Sequence, residues 1–368
     1  MVWGDLITLE YGKPVKDKDR WDGKIPVYGT NGQIGTSDLA PLCNHASFIL
    51  GRKGAYRGVH YSAVPFSVID TAFFAEPISE QLDLHWAYYK FLTYDINSMD
   101  SGSAIPSTDR YEIYNLSVSL PPIEVQKKVV SILDSFDQKI RMNNQINDNL
   151  QQQAQTLFYE MVFPNECKTL PDGWQWVPLG ELASISTQSF NPAKEPETML
   201  EHYSIPAFDE AKFPVFEPST AIKSNKYVID HDCIMISKLN PTIKRVWKPY
   251  CMTDTTVCST EFIVYRAKER WQTDFLYSVI DSQPFSDYMC SHVTGSTGSR
   301  QRTTPADTLS YQVAFPPVKE IREFTAIVEP MYLQIRNNAI ENDYLRKTRD
   351  ALLPRLMSGE IDVSSVTL

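Results

Sequence analysis

The run PPIEVQKKVVSILDSFDQKIRMNNQINDNLQQQAQTLFYEM (Pro121–Met161) returns without a gap as PPVKEIREFTAIVEPMYLQIRNNAIENDYLRKTRDALLPRL (Pro316–Leu356). A shift of 195 positions lays Pro121-Pro122 on Pro316-Pro317, Ile132 on Ile327, and Ile140-Arg141 on Ile335-Arg336. It also lays Asn147-Asp148 on Asn342-Asp343, and Leu150 and Leu157 on Leu345 and Leu352. An internal repeat of this kind constrains the fold more than any local motif.

Each copy carries a 4-3 spacing. In the first it runs Val129, Leu133, Phe136, Ile140, Asn143, Asn147, Leu150, Ala154, Leu157, Met161; in the second, Phe324, Val328, Met331, Ile335, Asn338, Asn342, Leu345, Arg349, Leu352, Leu356. A repeat averaging 3.5 residues is that of a coiled-coil seam. Proline is tolerated in the first turn of a helix and disfavours helix before it, so each Pro-Pro pair marks a start. About 40 residues at ~1.5 Å each give helices of roughly 60 Å, longer than ordinary globular helices and suited to act as spacers. Buried seam asparagines cost stability and fix register. Antiparallel packing about a pseudo-two-fold near Gln145 and Ile340 sets Asn143 opposite Asn342 and Asn147 opposite Asn338; two-fold closure is the common outcome for repeats. A stop or kink is expected at Pro354.

The 368 residues allow two or three domains with real cores, and the 42% hydrophobic and 22% charged content is that of an ordinary soluble protein. No apolar run is long enough to cross a membrane as a helix, and the start MVWGDLITLEYGKP lacks a signal-peptide pattern, so a cytoplasmic protein is expected. The six cysteines form no CxxC pair and have no histidine at zinc-finger spacing, and His231 beside Cys233 has no further ligand nearby in sequence, a core strand being favoured there; no metal is expected. A net charge of −10 argues against DNA binding by the whole surface while leaving room for a local basic face.

Before the first repeat lies a unit with buried-strand signals at Ser47–Gly51 and Pro65–Phe74, helical spacing at Leu84–Tyr94, and a strand at Leu116–Leu120. A second unit begins after Phe163-Pro164 and echoes it. Gly180-Glu181-Leu182 answers Gly4-Asp5-Leu6, CIMIS (Cys233–Ser237) answers SFILG, CSTEFIVY (Cys258–Tyr265) answers IDTAFFAE (Ile69–Glu76), Phe275–Ile280 answers the aromatic helix, and TGSTGSRQRTT (Thr294–Thr304) answers SGSAIPSTD (Ser101–Asp109). The plan is unit 1–120, helix 121–163, unit 164–316, helix 317–360, and a tail 361–368. The fold class is α+β: two mixed α/β domains in pseudo-two-fold arrangement, separated by two long antiparallel coiled-coil helices.

Both units place a basic loop at one topological point. The loop GRKGAYRG surrounds Tyr56 with Arg52, Lys53 and Arg57, and its glycines would let a backbone approach a phosphate. Its counterpart SKLNPTIKRVWK offers Lys238, Asn240, Lys244 and Arg245. The turns at Ser107-Thr108 and at Ser299, Arg300 and Arg302 add donors of the kind that bond base edges and phosphates. Taken singly, each loop is also explained as a solvated turn. Asn31 in YGTNGQIG is better read as a turn residue than as a base donor. No GxxxxGK[ST] loop and no Asn/Asp-Pro-Pro-aromatic tetrapeptide occurs, and Glu210-Ala211-Lys212 is a fragment too short to mark a nuclease.

In this order, the loop ILGRKGAYRG, the passage SGSAIPSTDRYEIYNLSVSL running into PPIEVQKKVVSILDSFDQKI, the opening LPDGWQWVPLGEL and the ending LLPRLMSGEI resemble the specificity subunits of type I restriction-modification enzymes, over essentially the whole chain. The resemblance implies a non-catalytic subunit with two target-recognition domains, each reading one half of a bipartite double-stranded DNA sequence, with the long helices as a ruler between them. It implies two docked methyltransferase subunits that carry S-adenosylmethionine and methylate adenine, a motor-nuclease subunit joining for cleavage, and no cofactor in this chain. The alternative from another class is a coiled-coil scaffold whose two domains bind proteins or sugars.

Overall fold

The computed structural model describes residues 1–14, 23–99, 106–162, 170–294 and 301–366. The two long segments are single helices, Ile123–Val162 and Val318–Ser358, each beginning directly after its Pro-Pro pair. No seam residue is exposed along either helix. The second helix runs through Pro354 rather than stopping there. Leu353, Leu356 and Met357 around that proline are buried in the first core, and three such side chains at roughly 1.5–3 kcal/mol each exceed the ~3 kcal/mol cost of an internal proline.

The chain divides into two compact units, and the division falls across both helices. One unit is residues 1–140 with 344–368, the other 141–343. Each unit therefore includes part of each helix, residues 123–140 and 344–358 in the first and 141–162 and 318–343 in the second.

Among the described residues of the first unit, seven strands form two sheets. They are β1 (Ile7–Tyr11), β2 (Ile25–Gly29), β3 (Gly32–Ser37), β4 (Ser47–Gly51), β5 (Val59–Ser62), β6 (Ser67–Val68) and β7 (Ala72–Pro77). The four-stranded sheet has the order β1-β7-β4-β5, antiparallel throughout; the three-stranded sheet has the order β3-β2-β6, with β2 and β6 parallel. Pro65–Phe74 thus forms not one strand but β6 and the start of β7, with a turn between them. Strand β4 is buried on both faces: Phe48 and Leu50 enter one cluster with Trp3, Trp86 and Phe91, while Ile49 joins Cys43, Phe66 and Phe74 on the other side, the alternation a pleated strand imposes. The expected helix is Leu84–Phe91, capped by Asp83, whose carboxylate accepts from the amides of His85 and Trp86. Leu116–Leu120 is no strand; Ser117 makes only an isolated bridge to Val2.

The core of this unit extends into the helices through Val129, Leu133, Leu353, Leu356 and Met357. Gln126, fully buried, locks the entry of the first helix: its Nε2 donates to the carbonyls of Gln81 and Pro121 (both 2.8 Å) and its Oε1 accepts from Asp83 N. Tyr89 Oη donates to Asp134 (2.7 Å) and Asp137 (2.9 Å), and Asp137 in turn holds Arg349 of the second helix. The last segment is not a loose tail, since Val363 is 2% exposed in this same core.

The second unit repeats the topology. Its antiparallel sheet Ala183–Ile185, Phe262–Ala267, Cys233–Ser237, Val246–Trp247 follows the order of β1-β7-β4-β5. In its five-stranded sheet, Val215–Pro218 pairs antiparallel with Met199–Tyr203, which pairs parallel with Thr256–Ser259, as β3-β2-β6 do; Lys226–Val228 and Ser189–Phe190 are additions. CSTEFIVY therefore spans two strands, as IDTAFFAE reaches from a turn into β7. His231 lies in an exposed turn before the strand that Cys233 begins. At the seam, Asn143 Nδ2 donates to Asn342 Oδ1 (2.9 Å) and Asn338 Nδ2 to Asn147 Oδ1 (2.8 Å), the antiparallel pairing expected. Asn342 Nδ2 also donates to Asn144 Oδ1, Asn143 Nδ2 to Glu341, and Gln334 Nε2 to Asn338 Oδ1. Asn143, Asn338 and Asn342 are buried, so these amides offset much of their desolvation by bonding one another.

No helix among the described residues is long and apolar enough to cross a membrane.

Candidate nucleic-acid interface

The two basic loops leave equivalent strands and are held by the same backbone bonds. After β4, Arg52 N donates to Thr71 O (2.8 Å), Thr108 N to Arg52 O (2.9 Å) and Gly54 N to Pro106 O (3.0 Å). After Cys233–Ser237, Lys238 N donates to Glu261 O (2.9 Å), Thr303 N to Lys238 O (3.1 Å) and Asn240 N to Gln301 O (2.9 Å). Lys53 bridges Ser107 where Leu239 bridges Arg302. Gly54 and Asn240 both take positive φ, 125° and 48°; asparagine is the residue that tolerates this region best after glycine. Arg52 and Lys238 are thus counterparts, each on a ledge made of a strand-end loop and the segment before the long helix.

Side chains on the ledges differ. In the first unit the Arg52 guanidinium lies 4.8 Å from the centre of the Tyr11 ring and donates to Asp70 O (3.1 Å). Arg110 lies 5.1 Å from the same ring and 5.2 Å from that of Tyr111. Tyr11, Tyr56 and Tyr111 are 44%, 64% and 59% exposed, so a patch of cations and aromatic faces stands open to solvent. Sequence reading missed Tyr11, Arg110 and Tyr111; the cue was Asp109-Arg110-Tyr111 directly after the polar turn. Arg57, by contrast, points inward. It is 2% exposed and its Nη2 donates to the carbonyls of Asn97 (2.7 Å) and Ile96 (3.4 Å), so it braces the loop and offers no surface charge. Thr108 is likewise buried. Gly51 serves closure of the loop: a Cβ there would meet Arg57 Cα at 2.8 Å and Thr30 O at 2.9 Å. In the β2–β3 turn the left-handed residue is Gly32, not Asn31.

In the second unit most of the expected positive charge is answered within the chain. Arg245, 8% exposed, makes a bidentate pair with Asp209 (2.6 and 2.8 Å) and holds that carboxyl below its ordinary range. Lys244 pairs with Asp281 (3.0 Å), which also accepts from Gln151 (2.7 Å) and Gln155 (2.8 Å) of the first long helix. Lys248 pairs with Asp274, and Arg302 with both carboxylate oxygens of Glu261 (3.0 and 3.1 Å). These pairs tie the loop to its own helices and sheet. Lys238 stays half-buried on the ledge. Ser299 and Arg300 lie outside the described residues.

The chain is similar in sequence and in fold to known proteins. The sequence model described as type I restriction modification DNA specificity domain matches residues 3–152. The MjaIX specificity subunit of Methanocaldococcus jannaschii is 23% identical over 76% of this chain and 70% of its own length. A putative type I specificity subunit of Mycoplasma pneumoniae is 22% identical over 91% and 87%. In fold, the type I restriction-modification S subunit from M. genitalium superposes with a TM-score of 0.63 at 14% identity, covering 97% of this chain and 95% of that one. Residues 3–152 thus match a type I restriction modification DNA specificity domain, and over most of its length the chain is similar in sequence to specificity subunits of type I restriction enzymes and shares the fold of a type I S subunit.

Proposed function

We propose that each unit reads one half of a bipartite double-stranded DNA target, and that the ledges at Arg52 and Lys238 are where the duplex is met. The observation that carries this reading is the duplication of the ledge: the same three backbone bonds hold a cation at the same point of both units, while the flanking side chains differ. A repeated frame with unlike faces suits two unlike half-sites. Phosphate contacts by Arg52, Arg110 and Lys238 would position the duplex, with polar groups beside them available to base edges.

The long helices act in this reading as the ruler between half-sites and as the platform for two methyltransferase subunits. Those subunits, not this chain, would bind S-adenosylmethionine and transfer its methyl group to adenine; a motor-nuclease subunit would join them for cleavage. The net charge of −10 fits a chain whose partners supply part of the clasp on DNA. A cytoplasmic location follows from such a role. Adenine-methylation mapping of cells that express this chain with its methyltransferase subunit tests the proposal. The expected result is a motif of two short defined halves around a fixed undefined gap, lost when this chain is deleted; an unchanged methylation pattern beside an active methyltransferase would favour the scaffold alternative.

A further inference from the structure

Away from the ledges, the connection between β3 and β4 brings Cys43 and His45 against Glu76 of β7. Each offers one ligand atom, and these atoms lie within 4.8 Å of one another. The connection is held in place: Cys43 and Phe66 exchange backbone hydrogen bonds (2.9 and 3.0 Å), and the Cys43 side chain is buried beside Ile49, Phe66 and Phe74. His45 and Glu76 side chains are each 39% exposed, leaving a path for an ion from solvent.

The imidazole is what points to a cation. His45 Nδ1 lies 3.0 Å from Ala46 O, and Nε2 lies 2.8 Å from Glu76 Oε2. Both neighbours are acceptors, and a neutral imidazole has a single N–H. With Nδ1–H donating to that carbonyl, Nε2 faces the carboxylate, the side from which a metal ion shared by the two groups would be bound. A ring whose Nδ1–H is held by a backbone carbonyl is oriented as ligating histidines are. The thiol lies within the same reach. Without a metal it donates to the His45 carbonyl (3.4 Å); as a thiolate it completes, with an imidazole nitrogen and a carboxylate, a three-ligand set of the kind that holds zinc with one position open to water.

We propose that Cys43 Sγ, His45 Nε2 and Glu76 form a binding site for a Zn2+ ion that clips the β3–β4 connection to strand β7. Binding would form the Zn–S, Zn–N and Zn–O bonds in place of the His45 Nε2–Glu76 contact, and would release to solvent the thiol proton and the proton held in that contact. The site stands apart from the DNA reading and does not depend on it.

The test uses the purified full chain, stripped with chelator and titrated with Co2+ as a spectroscopic probe and then with Zn2+. Expected are one Co2+ bound per chain with a thiolate-to-cobalt charge-transfer band, displacement of that band by Zn2+, and a melting temperature raised by Zn2+ and lowered again by chelator. Cys43→Ser should abolish the band, and Glu76→Gln should weaken binding at least about tenfold, the loss expected where a metal shell is disturbed. Should Cys43→Ser not fold, His45→Gln with Glu76→Gln provides the same comparison. No band, a band that survives loss of these ligands, or a melting temperature indifferent to Zn2+ would overturn the site and leave His45 and Glu76 as a plain ion pair.

Discussion

Arg57 and Arg52 sit in one loop and do opposite things. Arg57 is buried against the carbonyls of Ile96 and Asn97, and hydrogen bonds from a charged donor contribute roughly 1.5–3 kcal/mol each. Arg57→Ala should therefore lower stability by about 2 kcal/mol, read as a lower denaturant midpoint. Arg52→Ala and Arg110→Ala should leave that midpoint within about 0.5 kcal/mol and weaken DNA binding by the assembled complex, each lowering the salt slope by about one. Loss of binding without a change in salt slope would argue against phosphate contacts. Asp209 gives a pH test. Arg245 holds its folded pKa below the ordinary value of 3.8, so the pair's contribution is full above that value and disappears as pH falls through the lowered one. Urea melts should show acid sensitivity in that window that is smaller in Asp209→Asn. Because Asp209 is 47% exposed, the effect is modest.

Among the elements, the seam amides and the terminal segment make the sharpest claims. Asn342→Leu removes one of the two acceptors of the buried Asn143 Nδ2, leaving Glu341, together with the donor to Asn144 Oδ1, a loss of about 1–3 kcal/mol. Asn143→Leu with Asn342→Leu should recover much of it, since an apolar pair suits a seam, while loosening register. A double-mutant cycle by thermal melting reads the coupling; additive losses would mean the amides do not act as a pair. Deleting residues 361–366 removes the buried Val363 from the first core and should cost at least about 1.5–3 kcal/mol, visible as an earlier thermal transition.

These elements also mark what could be read from sequence. The helices, their antiparallel register and the Asn pairing were legible because a 3.5-residue repeat states a seam directly. Strands β4 and β7 were legible through their echoes in CIMIS and CSTEFIVY, while the pairing order β1-β7-β4-β5, set by contacts distant in sequence, was not. Leu116–Leu120 was read as a strand because its pairing is real but brief: Trp3 N donates to Leu116 O and Val118 N to Met1 O around the single Val2–Ser117 bridge. The run through Pro354 was not legible because burial around it came from the other end of the chain. At the ledges, charge composition could not separate Arg57 and Arg245, turned inward onto carbonyls and Asp209, from Arg52 on its exposed tyrosine. The Cys43–His45–Glu76 cluster was hidden because its third member comes from another strand.

For the whole molecule, two compact units each take part of two helices of 40 and 41 residues. If those helices set the separation of the half-sites, then length alone should change the target. The most direct measurement is the adenine-methylation motif produced when seven residues that keep the seam are inserted after Gln145 in the first helix and after Ile340 in the second. Seven residues at ~1.5 Å add about 10 Å, or about three base pairs of duplex at ~3.4 Å each. The account predicts the same two half-sites with an undefined gap longer by about three base pairs. An unchanged gap, or altered half-sites, would contradict it.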